Sequence, residues 1–356
     1  MTILSQSFYF FYLLTYKRIK MKIIIPMAGR GSRLRPHTLT VPKPLVPVAG
    51  KPIVQRIVED LSSSFKGQID EIAFIIGDFG QEVETHLVSI AESLGAKGTI
   101  YHQDQPLGTA HAILCAADSL DGNCLVAFAD TLFRADFSFD PNAQDGLIWV
   151  KTVEDPSAYG VVQTDENDKI IEFIEKSPVF VSDKAIVGIY YFKDGQRLKK
   201  ELQYLVDNDI KQKGEYSLTS ALENLKEDNA VFKPAIIDEW LDCGNKDFVV
   251  YSNQRILDIK KDQEQLIDSS ATIENSTIIE PCYIGPNVQI KNAVVGPYVS
   301  VGENSKLENC VIKNSLVQND SSLKNVVVED SMLGNKASFE AKARNLSLGD
   351  FTNYSE

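Results

Sequence analysis

The chain has 356 residues and a mass of 39.6 kDa, enough for about two domains of roughly 150 residues each. Its 49 acidic against 36 basic side chains leave a formal charge of −13, which excludes a general binder of nucleic-acid phosphate backbones. Apolar residues make up 44% and charged residues 24%, and no apolar run approaches the roughly 20 residues of a membrane span, so neither a disordered nor a membrane-spanning chain is expected.

In chain order, Phe8 to Leu14 form an apolar aromatic run followed, not preceded, by Lys17, Arg18 and Lys20. A secretory signal needs the opposite order, so residues 1–20 read as an extension outside the fold, with Met21 opening the first strand. That strand, Lys22 to Pro26, runs into Ala28-Gly29-Arg30-Gly31-Ser32-Arg33. Glycines at a strand end let the backbone approach a phosphate and present N–H groups to it, and Arg33 adds a charged donor. A dinucleotide fingerprint would need a third glycine where Leu34 stands, and a Walker A loop would need Gly-Lys-Ser/Thr; neither is present. Pro52 suits the first turn of a helix whose apolar face is Ile53, Val54, Ile57, Val58 and Leu61.

Strand-like runs recur at Ile72 to Ile76, Leu125 to Phe128, Leu147 to Val150 and Ile186 to Phe192, alternating with helical stretches, which predicts an α/β domain with a largely parallel sheet. Thr109 reads as the N-cap of a helix through Ala110 to Ala117. Asp130 follows the strand ending at Phe128, at the carboxyl end where such sheets bind ligands. The five cysteines, 115, 124, 243, 282 and 310, lack close pairs or C-x-x-C spacing and read as reduced, mostly buried thiols of a reducing compartment. After about residue 267 aliphatics recur every five or six residues, at Ile273, Ile279, Ile284, Ile290, Val295, Val301, Leu307, Ile312, Val317, Leu323, Val328, Leu333 and Phe339. That period suits a solenoid of short parallel strands with inward aliphatic rungs and Gly, Pro and Asn at the corners. The expected division is residues 21–250 for the α/β domain, 251–267 for a linker helix and 268–350 for the solenoid.

The stretch from Gly29 to Arg33 with Thr38 and Pro42-Lys43-Pro44-Leu45 closely resembles the signature of sugar-1-phosphate nucleotidyltransferases. The resemblance implies a Rossmann-like nucleotidyltransferase domain with a mostly parallel mixed sheet and, behind it, a left-handed β-helix of hexapeptide repeats. It also implies Mg²⁺-dependent attack of a hexose 1-phosphate on the α-phosphorus of a nucleoside triphosphate, with pyrophosphate leaving. Carried over by residue, Ala28, Gly29, Gly31, Ser32 and Arg33 would hold the nucleotide and Lys43 the reacting phosphates. Asp130 and Asp242, the latter in Trp240-Leu241-Asp242-Cys243-Gly244, would hold Mg²⁺. Ala129 and Ser177 stand where the family usually has Gly and Pro.

In Tyr101 to Ala110, Gln103 would read a pyrimidine edge, Gly108 would let the base approach, and Thr109 belongs to the same nucleotide loop. Gly160, Glu175, Lys176, Val187 and Thr219 would bind the sugar phosphate, Glu175 through sugar hydroxyls. Lys213, also assigned there, stands where thymidylyltransferase-like members tend to have Arg, and keeps the charge without the bidentate fork. Expected substrates are dTTP or UTP with glucose 1-phosphate. Asn345-Leu346-Ser347-Leu348-Gly349-Asp350 resembles the end of long thymidylyltransferases, while Leu107 to Ala112 also looks like the uridylyltransferase loop. The alternatives are a UTP-specific uridylyltransferase or another hexose-1-phosphate nucleotidyltransferase, with a GTP and mannose pairing less favoured, and a catalytically silent regulatory subunit, although the last tends to lose the residues retained here at 33, 43, 130 and 242. The solenoid lacks histidine, so acetyl transfer on it is not expected. A cytoplasmic homo-oligomer without nucleic-acid or membrane partners completes the expectation.

Overall fold

A computed structural model describes residues 20–352 except 30, 66–68, 136, 138, 142, 343–346, 348 and 350. The proposed extension, apart from Lys20, and most of the Asn345 to Asp350 motif lie outside the described residues. In chain order the first part contains β1 (Met21–Pro26), β2 (Pro47–Val48), β3 (Lys51–Pro52), α1 (Ile53–Phe65), β4 (Ile69–Ile76), α2 (Gln81–Ser93), β5 (Lys97–His102) and α3 (Thr109–Cys115). There follow β6 (Asn123–Ala127), β7 (Thr131–Arg134), β8 (Gly146–Thr152), β9 (Gly160–Thr164), β10 (Ile170–Glu175) and β11 (Lys184–Phe192). The last of this part are α4 (Gly195–Asp207), α5 (Leu218–Glu227), β12 (Phe232–Ile236), β13 (Glu239–Asp242) and α6 (Lys246–Lys260).

Two compact units divide the chain. One contains Pro52–Gly244 and the segment ending at Val46; the other contains Pro47–Lys51 and everything from Asn245 onward. The first unit carries a nine-stranded mixed sheet in the order β10-β9-β11-β6-β1-β4-β5, with β8 joining β11 to β12. Pairing is parallel across β6, β1, β4 and β5 and antiparallel around β11. In the parallel half both faces are covered, so β1 and β4 read as continuous aliphatic runs: Ile23, Ile24, Ile25 and Ile72 to Ile76 are fully buried. All five apolar positions expected on α1 are buried as well.

Thr109 is not a cap: Gly108 precedes the helix, and the Thr109 hydroxyl accepts instead from the Leu218 N–H at 3.0 Å. The α3 helix ends at Cys115, before a separate 3-10 turn at Ala117–Ser119. Similarly, the helix expected over 251–267 runs Lys246–Lys260, because the Asn245 carboxamide accepts from the Phe248 N–H at 3.0 Å and fixes its start.

Within the second unit the solenoid forms three parallel sheets, a left-handed β-helix. Stacked positions lie 17 or 16 residues apart, as in the ladder Asn275, Asn292, Asn309, Asn325, where each carboxamide donates to the next. These four asparagines sit at φ between 45° and 56°, a left-handed conformation that Asn tolerates better than other side-chain-bearing residues. The rungs from Ile284 to Val328 are buried as expected. One rung is corrected: Ile278, not Ile279, stacks on Val295, and Ile279 is 42% exposed in the following turn. The buried Asn253 of α6 accepts from the Ala49 N–H at 2.9 Å and the Ser300 hydroxyl at 2.7 Å, and donates to the Tyr298 carbonyl at 3.3 Å. One carboxamide thus ties the helix, the 47–51 segment and the solenoid of this unit together. All five cysteines are free, four of them buried.

Candidate active site

Because β1 lies between β4 and β6, the loops leaving the carboxyl ends of β1, β5 and β6 meet at one end of the sheet. A cleft of about 390 Å³ opens there. Ala28, Gly29, Gly31, Ser32 and Arg33 form one wall, Gln103, Gly108 and Thr109 another, and Lys43, Asp130 and Gly244 complete it. Six separate stretches of sequence, one of them contributing Glu215, therefore converge on one cavity.

The two loop glycines serve different ends. Gly29 borders open space, with no atom within 4 Å of where a Cβ would stand. Gly31 has φ +67°, and a Cβ there would lie 2.5 Å from the Lys43 Cβ, so this glycine seats the lysine stem. The Thr38 hydroxyl donates to the Gly31 carbonyl at 2.8 Å and pins the turn. Lys43, between Pro42 and Pro44 at the start of a 3-10 turn, is 6% exposed, and its Nζ lies 3.5 Å from Asp130 Oδ2. Asp242 comes up beside Asp130 because β13 pairs antiparallel with β7, placing Asp242 opposite Thr131. The Cys243 N–H donates to the Asp130 carbonyl at 3.2 Å. At Gly244 a Cβ would stand 3.0 and 3.1 Å from the Asp242 carboxylate oxygens and 3.3 Å from Arg33 Nη2. A guanidinium, an ammonium and two carboxylates thus surround one end of the cleft.

At the other end the Gln103 carboxamide donates from Nε2 to the Gly108 carbonyl at 3.1 Å and contacts His111 Nδ1 at 3.1 Å. Burial pulls the His111 imidazole below its ordinary value. The need for glycine at 108 has a cause that sequence did not supply: φ is +112°, and a Cβ would lie 2.5 Å from the Tyr216 carbonyl oxygen. The backbone of residues 215–216 occupies that side, with Ala110 N donating to the Tyr216 carbonyl at 2.9 Å and Tyr216 N donating to Leu107 at 2.8 Å.

Glu175 and Gly160 are register partners on β10 and β9, and a Cβ at 160 would meet Glu175 Oε2 at 3.0 Å. The Thr219 hydroxyl donates to Glu175 Oε2 at 3.2 Å, and Lys176 Nζ lies 3.4 Å from Glu175 Oε1. Val187 is buried on β11. Burial pushes the Tyr190 phenol far up, and the Glu175 and Asp130 carboxylates push it the same way, so Tyr190 lies within the field of both groups. None of Gly160, Glu175, Lys176, Val187, Lys213 and Thr219 lines the cleft itself; Lys213 sits exposed in a left-handed turn at φ +52°.

The nucleotidyl transferase family model matches residues 22–258. The chain belongs to this family. It is similar to a low-salt glycan biosynthesis nucleotidyltransferase of Haloferax volcanii, 31% identical over 85% of this chain and 88% of that one. A glucose-1-phosphate thymidylyltransferase of Streptomyces antibioticus is 28% identical over the same shares. Among solved structures, a Bacillus anthracis protein provisionally described as a glucose-1-phosphate thymidylyltransferase, crystallised with a sucrose, matches with a TM-score of 0.55 and 27% identity, over 65% of this chain and 94% of that one. The enzyme is a sugar-1-phosphate nucleotidyltransferase. Among the groups of this nucleotidyltransferase's cleft that sequence reasoning missed are Phe128 and Glu215, which line it, and His111, which contacts Gln103. Glu215 lay inside the Lys213 to Thr219 motif without a role, while His111 required knowing that α3 turns its second residue pair toward the loop before it.

Proposed function

We propose that this nucleotidyltransferase joins dTTP or UTP to glucose 1-phosphate, releasing pyrophosphate, with Mg²⁺ as its cofactor. The observation that carries the reading is the approach of Lys43 Nζ to Asp130 Oδ2 at 3.5 Å in a cleft that the open backbone of Gly29 also lines. A phosphate lying along Gly29 meets an uncrowded backbone, Arg33 and Lys43, which neutralise triphosphate charge and fix its direction. Positioning of two reactants and charge neutralisation are what phosphoryl-type displacement asks of a protein, and no protein nucleophile is needed.

Asp130 and Asp242 fit Mg²⁺. They offer hard oxygen donors, Asp130 in the turn before β7 and Asp242 at the end of the neighbouring β13, and a two-carboxylate set leaves octahedral positions for phosphate oxygens and water. Bound there, the ion would polarise the reacting phosphate. Glu175, held by Thr219 and Lys176, suits sugar hydroxyls, and Lys176 beside it suits the sugar phosphate. Lys213 has no part in this reading. The base would stand against Gln103, which supports a pyrimidine nucleotide. A pyrophosphate-release assay over dTTP, UTP, CTP and GTP with glucose, mannose and amino-sugar 1-phosphates tests the assignment. Turnover is expected with dTTP or UTP and glucose 1-phosphate. A preference for GTP with mannose 1-phosphate would overturn the substrate assignment, and inactivity with every pair would overturn the catalytic one.

A further inference from the structure

The Gln103 side chain has two faces, and the molecule decides which one meets the nucleotide. The Gly108 carbonyl can only accept, so the group 3.1 Å from it is the carboxamide NH₂. The same nitrogen lies 3.1 Å from His111 Nδ1, which must therefore offer a lone pair, with the ring proton on Nε2. Both amide hydrogens are then engaged, and among the described residues no donor meets Oε1. We propose that His111 is a specificity-determining positioning residue, whose neutral tautomer locks the Gln103 carboxamide with its oxygen toward the base edge. The inference rests on the reading of Gln103 as the base contact. A lone acceptor there pairs with the imide N–H of uracil or thymine and opposes the bare ring nitrogen of cytosine.

Protonated His111 would present an N–H at Nδ1, and neither amide orientation could then satisfy both neighbours. The NH₂ would face the imidazolium, or Oε1 would face the Gly108 carbonyl. The surroundings hold the ring neutral at ordinary pH, since burial lowers its affinity for protons. Titratable neighbours are few. The Cys115 thiol, 3.9 Å from Nδ1 and itself pushed up by burial and by Asp104, stands one turn along α3. Asp104 follows Gln103 in the chain, and Glu215 packs across Gly108. No charge on α4, α5, β1 or β4, which pack on α3, contributes to the shift at His111.

Steady-state kinetics of the full chain with UTP, dTTP and CTP between pH 5.5 and 8 test this, with variants checked by thermal melting. His111→Ala is expected to raise KM for UTP and dTTP about ten-fold, the equivalent of one ordered hydrogen bond, with the loss in KM rather than kcat and a narrower UTP-to-CTP ratio. His111→Asn puts a non-titrating acceptor near the Nδ1 position. It is expected to restore the KM at pH 7.5 and to abolish the rise in KM that is expected of the natural chain below the ordinary histidine range. Unchanged KM and ratio in His111→Ala, while Gln103→Leu raises KM, would overturn the role of His111 alone. An unchanged KM in Gln103→Leu would instead overturn the base contact, and this inference with it.

Discussion

Lys43 shows how much one side chain depends on its supports. Its stem lies in the space left by the missing side chain of Gly31, its turn is stiffened by prolines on both sides, and its ammonium reaches Asp130. Under the proposed mechanism, Lys43→Met removes one preorganised charge from the reacting phosphates and lowers kcat by about 10²–10³-fold, read from initial rates at saturating substrates. Retention of more than half the kcat would remove Lys43 from the chemistry. The Pro-Lys-Pro motif made this lysine legible in the sequence. The reason for Gly31 was not, because its neighbour across the turn is twelve residues away and only folding brings the two together.

At the scale of elements, the amino ends of β1, β4 and β5 share a buried ionic cluster, at the other end of these strands from the cleft. Glu71 accepts from the Thr99 hydroxyl at 2.6 Å and the Ser119 hydroxyl at 3.0 Å, and pairs with Lys22 at 3.3 Å. Burial alone would push this carboxyl up, but the hydrogen bonds and the lysine outweigh it and hold it below the ordinary carboxylate value. A depressed folded value stabilises the fold above the unfolded value, and that contribution is lost as pH falls through the folded one. Glu71→Gln should therefore cost about 2 kcal/mol in urea unfolding at pH 7, with the gap closing in the acid range below ordinary carboxylate titration. A gap independent of pH would show that the charge is not the stabilising feature.

In the second unit, Asn253→Ala removes the carboxamide that joins α6 to both Ala49 and Ser300, and with it the hydrogen bonds that it accepts from each. The expected loss is about 2–4 kcal/mol, measured as a lowered melting temperature. Periodicity announced the solenoid. It misplaced one rung, Ile278 for Ile279, because a spacing of five or six leaves a one-residue ambiguity that only strand register resolves. The assignment of residues 47–51 to the second unit was not legible either, since it rests on contacts far apart in sequence, among them a hydrogen bond across 204 residues.

For the whole molecule, the acidic surplus of the sequence coexists with a cleft built around two basic side chains, Arg33 and Lys43. The family and the order of strands and repeats were readable because motifs and periods are local. What was not readable is the set of contacts across the cleft, among them Glu215 beside Gly108 and His111 beside Gln103, because a side chain's partner from another segment leaves no mark on its own spacing. Phosphorus NMR of the full chain with Mg²⁺, glucose 1-phosphate and either dTTP or UTP tests the central claim most directly, since it reports which phosphate bond is broken. The account predicts a nucleoside diphosphate sugar and pyrophosphate appearing in equal amounts; nucleoside diphosphate with orthophosphate, or an unchanged spectrum with both nucleotides, would contradict it.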